Sequence, residues 1–169
     1  MKNLSMLLVA CLATSPVDAA TPLTRAVQQA YDAGFRDCAP TLDRFVRFIH
    51  EDDTQYGFYG IWSKDAPNAS MFSTTTTEIT PAGNMVTTFS AVKNNSGTCD
   101  VSVSTTVVST SSCAAIREST FKDWKFYGDL NGSSIYSDPT SQGDDVILTN
   151  IPNNYCLLVK RLSAYGVPK

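Results

Sequence analysis

The chain has 169 residues, 17% of them charged, with 13 Lys and Arg against 16 Asp and Glu and a formal net charge of −3. A mildly acidic chain with no basic run is a poor partner for nucleic acid, where neutralised phosphates supply most of the affinity. Its length suits one domain with one apolar core.

Residues 1–19 read as an export signal. Lys2 supplies a short positive start, residues 4–13 form an apolar run, and Pro16 breaks it. Val17 and Ala19 place small residues where a signal peptidase reads, so cleavage is expected before Ala20. Losing Lys2 and Asp18 together leaves the net charge at −3. A competing signal, Leu8-Val9-Ala10-Cys11, has the form of a bacterial lipobox, in which Cys11 would be acylated. The apolar run continues past it through Leu12 and Ala13, which favours cleavage over anchoring. Beyond the signal no apolar stretch reaches the roughly 20 residues that span a bilayer. The expected product is a soluble periplasmic or secreted protein of the bacterial envelope, a single domain over 20–169. Three glycosylation-like patterns, at Asn68, Asn94 and Asn131, serve as loop markers.

A first helix is expected from Thr21-Pro22 to Gly34, with a capping hydroxyl followed by proline. A second begins at Pro40-Thr41. There Leu42, Phe45, Val46 and Ile49 recur at i, i+3, i+4 and i+7, while Asp43, Arg44 and Arg47 take the opposite face. It ends in His50-Glu51-Asp52-Asp53, where acids oppose the macrodipole and predict a frayed, solvated end. From Tyr56 the period becomes two, with strands over 56–63, 71–79, 85–93 and 99–109 and a hairpin turn at 94–97. The last of these puts Cys99, Val101, Val103, Thr105 and Val107 on one face and Asp100, Ser102, Ser104 and Thr106 on the other. A short helix capped near Ser112 follows, then strands over 124–130, up to 136, 146–149 and 155–162, with a loop at 137–145. Helices segregated from consecutive strands predict an α+β domain, N-terminal helices packed on a mainly antiparallel sheet, with no internal repeat.

Four cysteines remain after cleavage: Cys38, Cys99, Cys113 and Cys156. In an oxidising compartment they predict two disulfides. A strand over 99–109 carries its ends roughly 30 Å apart, and four residues cannot bring Cys113 back within the ~7 Å that a bridge needs. Two connectivities survive: Cys38–Cys99 with Cys113–Cys156, or Cys38–Cys113 with Cys99–Cys156.

The sequence is poor in catalytic signals. His50 is the single histidine, so any histidine-dependent scheme must pass through it. Neither a nucleophile elbow, a phosphate loop nor a dinucleotide fingerprint occurs. Metal-ligand spacing is absent, and no cofactor is expected. Tyr56, Phe58 and Trp62 fall on one face of their strand, with Tyr59 and Ile61 on the other. Trp124 and Tyr127 open a second two-faced aromatic strand. Such residues either cover the sheet or offer a contact surface. The run 74–77, four threonines, reads as an exposed edge strand able to accept a partner strand. Together these features predict a non-enzymatic module that binds another envelope or extracellular protein. An inhibitor, a toxin-immunity protein and an accessory of an envelope machine share that format. The alternatives are a small hydrolase using carboxylates near His50 and a small-ligand carrier.

Overall fold

The computed structural model describes residues 22–50, 56–80 and 83–169. The predicted signal, the acids at 51–53 and the residues 81 and 82 lie outside them. Helices α1 (Arg25–Asp32) and α2 (Ala39–Ile49) precede a meander of β1 (Gly57–Ile61), β2 (Phe72–Thr80), β3 (Gly83–Lys93) and β4 (Cys99–Ser109). Helix α3 (Cys113–Thr120) leads to a second meander of β5 (Lys125–Leu130), β6 (Ser133–Ser137), β7 (Asp144–Ile151) and β8 (Tyr155–Val167). All eight strands form one antiparallel sheet in the order β1-β2-β3-β4-β8-β7-β6-β5. Among the described residues no helix is long and apolar enough to cross a membrane.

Alternating burial explains which residues face the helices. Phe72, Thr74 and Thr76 of β2, Thr87, Phe89 and Ala91 of β3, and Cys99, Val101 and Val103 of β4 are buried and share one face. They form a core with Val27, Ala30, Phe35, Leu42 and Val46. A second core, on the same face, joins Cys113 and Ile116 of α3 to Val146, Leu148 and Cys156. Each of the fully buried phenylalanines Phe35, Phe72 and Phe89 contributes about 1.5–3 kcal/mol. The opposite face carries rows of hydroxyls, including Ser73–Ser90 and Thr75–Thr88 contacts at 3.0 Å. Neither core cluster includes a residue from that face.

The sequence shows no repeat, but the topology does. With α1 set aside, each half is a helix (α2 or α3) followed by a four-strand meander, and β4 and β8 meet antiparallel at the centre. The two halves are thus related by an approximate two-fold axis perpendicular to the sheet. In each half a cysteine at a helix start bonds one at the start of the fourth strand: Cys38–Cys99 and Cys113–Cys156. This is the first of the two pairings that strand geometry allows. The first strand of each half carries Phe-Tyr-Gly, at 58–60 in β1 and 126–128 in β5.

Several sequence expectations give way to long-range contacts. Helix α1 starts at Arg25 rather than at Pro22, because the backbone N–H and hydroxyl of Thr24 both donate to Asp43 Oδ1, at 2.7 and 2.8 Å. Asp43 is therefore buried, and it is also paired with Arg47 at 2.6 Å. The threonine run is not an edge: β1 pairs outside β2, and Thr74 and Thr76 are sealed under the helices. Strands β7 and β8 reach into the expected loop and past Leu162. The segment 138–143 folds against β8, with Ser163 N donating to Gly143 O at 3.0 Å. Gly143 has a φ of 95°, and a Cβ there would sit 2.5 Å from the Ser163 carbonyl oxygen. Gly143→Ala is therefore expected to destabilise by about 2 kcal/mol, read as a shift in the urea midpoint.

Candidate functional site

His50 is not a solvated helix end. It caps α2 with an exposure of 3%, and its partners come from β2, across the core. Nδ1 lies 2.9 Å from Glu78 Oε2 and Nε2 lies 2.8 Å from Thr76 Oγ1. The ring stacks on Tyr56 at 4.4 Å. Desolvation raises the Tyr56 phenol above its ordinary pKa, against smaller lowering contributions from Thr24 and Arg25. A hydroxyl, an imidazole and a carboxylate in series are the elements of a nucleophilic relay. Here, however, the hydroxyl is sealed: Thr76 has no exposed surface and donates to Thr87 O at 3.3 Å. None of the three hollows lined by Met71 and Tyr165, by Phe48 and Val167, or by Gln142 and Asp144 includes His50 in its lining. The cluster clamps α2 and the start of β1 onto β2.

The aromatic residues separate into covered and open sets. Tyr56 and Phe58 lie beneath the Arg25 guanidinium, 5.7 and 5.8 Å from their ring centroids. Trp62 stacks on Phe72 at 6.0 Å, and Trp124 packs edge-on against Phe121 at 4.9 Å. These four cover the helix side of the sheet. Tyr59 and Ile61 are 70% and 62% exposed on the other side. Phe126 and Tyr127 are 61% and 78% exposed. The sequence thus singled out six aromatics, of which Tyr59 and Tyr127 are the open ones. Ile61 and Phe126 belong with them.

The two open sets cannot form one surface. β1 and β5 are opposite edges of an eight-stranded sheet, so seven spacings of about 4.8 Å put them roughly 34 Å apart. The edges also differ. β5 carries Lys125 and Asp129, and its register slips between Phe126 and Gly128, leaving Tyr127 as a bulge. Charge and bulge are both devices that blunt an edge against pairing. β1 pairs β2 without a slip and contains no charge and no proline. Its outer edge has no strand partner among the described residues.

On the helix side a groove of about 350 Å³ runs between α2 and β8, lined by Arg44, Phe45, Phe48, Leu162 and Val167. Among the described residues no group of three or more His, Cys, Asp and Glu side chains is placed to hold a metal ion. The chain matches no protein-family model, no curated protein and no solved structure.

Proposed function

We propose that the protein is an exported, non-enzymatic binding module that receives an extended segment of another exported protein along β1. The observation that carries this reading is the contrast between the two edges. β5 is blunted by charge and a bulge, whereas β1 contains no charged residue, pairs without a slip and carries exposed Tyr59 and Ile61. A strand added there gains backbone hydrogen bonds, and alternate side chains on Tyr59 and Ile61 provide selectivity. The strand's own uncharged side chains fit a β-branched or aromatic segment. Two disulfides suit an oxidising compartment. The burial of the Thr76 hydroxyl disfavours a nucleophilic relay through His50.

Ile61→Lys tests the edge directly. A lysine on an exposed strand edge is a recurrent device against pairing. The substitution is expected to weaken partner binding at least tenfold. Stability should change by no more than about 0.5 kcal/mol, because Ile61 is exposed. Binding that survives unchanged in Ile61→Lys and in Tyr59→Ala would move the interface away from β1.

A further inference from the structure

The helix-free face contains a second constructed feature, at the far end of the sheet centre. Pairing of β4 with β8 steps from Cys99↔Val167 to Val101↔Ala164, so Tyr165 and Gly166 together oppose Asp100. This bulge is held in place. Gly166 has a φ of 64°, and its N–H donates to Asp100 Oδ1 at 2.9 Å. The same oxygen accepts from Asn94 Nδ2 at 3.0 Å, and Asn94 in turn anchors the turn that enters β4. Bulges re-aim side chains and recur beside binding sites. Here the bulge presents Tyr165, 77% exposed, at a hollow of about 170 Å³ whose walls include Met71, Ser90, Asp100, Ser102 and Ser163.

The lining selects a ligand chemistry. No Lys or Arg contributes to it, which removes the counter-charge that a phosphate or carboxylate ligand needs. A single carboxylate among serines falls short of the six to eight oxygens that calcium takes. Beside apolar wall contributed by Met71, Val92 and their neighbours stand one aromatic ring, three serines and a carboxylate whose Oδ2 makes no hydrogen bond among the described residues. Ser102 and Ser163 likewise have hydroxyls without a partner there, and the Ser90 hydroxyl, which donates to Ser73, can still accept. An aromatic face beside several donors and acceptors suits a neutral polyhydroxy ring, whose C–H face packs on the aromatic while its hydroxyls bond the carboxylate and serines. The hollow is smaller than the roughly 300–1,000 Å³ of drug-sized pockets, so it holds one ring at a time.

We propose that Tyr165, Asp100, Ser102 and Ser163 form a saccharide subsite that takes one pyranose unit of a neutral glycan. The site is distinct from the β1 edge and does not depend on the protein-binding reading. It lies in the same cross-strand row as Ile61, through Ser73, Ser90, Ser102 and Ser163, so a glycan and a protein segment can occupy one face together.

Saturation-transfer NMR on the full chain, with chitotetraose, cellotetraose and maltotetraose as probes, tests the proposal. At least one probe is expected to receive saturation on its ring C–H protons. Tyr165→Ala should weaken that probe's binding at least tenfold, Ser102→Ala should weaken it by a smaller factor, and Tyr165→Phe should retain it. Tyr165 is exposed, so its substitution leaves the fold intact, and the chemical-shift spectrum reports this in the same sample. No transfer to any of the three probes overturns the proposal. Transfer that is equal in the native chain and Tyr165→Ala overturns it too, by placing the sugar elsewhere.

Discussion

Replacing both partners of the first disulfide, Cys38→Ser with Cys99→Ser, is expected to lower the stability of the protein by about 4 kcal/mol. The bridge spans 61 residues. In the chain-entropy account a closed loop of that size removes roughly 14 cal/mol/K from the unfolded ensemble. The second bridge spans 43 residues. The logarithmic dependence makes its loss about 0.3 kcal/mol smaller. With a urea m-value of about 2 kcal/mol/M, each double variant should move its midpoint down by roughly 2 M. Both bridges fasten a helix start to a fourth strand, so their equivalence in urea also tests the duplicated architecture. A shift below about 0.5 M for either would mean that that bridge does not constrain the chain as the structure has it. Peptide mapping under non-reducing conditions should recover the two pairs directly, and a Cys38–Cys113 peptide would contradict the layout.

The second large effect is expected at His50. His50→Ala removes the contacts to Glu78 and Thr76 and the stack on Tyr56 in one step. The Glu78 side chain is 19% exposed and partly rehydrates, whereas Thr76 keeps its bond to Thr87 O. The lost charge-assisted bond, together with the cavity, costs about 2–4 kcal/mol. A double-mutant cycle with Glu78→Gln should show a coupling above about 0.5 kcal/mol, as for groups in direct contact. A His50→Ala variant within about 0.5 kcal/mol of the native chain would return the imidazole to solvent and reopen the catalytic reading.

The structure shows which signals the sequence carried. Period-two segments were legible because one face of each strand is buried: the segment 99–109 is a strand with Cys99, Val101 and Val103 inward, as its alternation requires. The pairing argument for the cysteines worked for the same reason, since an extended strand fixes a distance. The burial of His50 is hidden in the sequence because its neighbours there are acids, while its hydrogen-bonding partners lie 26 and 28 residues away. The threonine run does not reveal its place in the sheet, because edge position depends on which strand adds outside it, and an aromatic strand, β1, takes that place. The likeness of the two halves lies in their topology and carries too little residue identity to register in the sequence. What the halves share in sequence is two cysteines each and the Phe-Tyr-Gly of β1 and β5, strands that the sheet order makes equivalent. Of the open aromatic residues, alternation correctly separated Tyr59 from Phe58. It could not reveal that Tyr127 sits on a bulge, because a bulge is a property of the pair β5–β6 and not of either strand alone.

The edge reading rests on the difference between β1 and β5, and one measurement compares them in a single experiment. A photo-crosslinking phenylalanine analogue is placed at Tyr59 in one version of the full chain and at Tyr127 in another, each expressed in the native host and irradiated. The account predicts one stoichiometric adduct from position 59, mapped to an extended segment of another exported protein and lost in Ile61→Lys, with none from position 127. An adduct from position 127 with none from position 59, or no adduct from either, would contradict it.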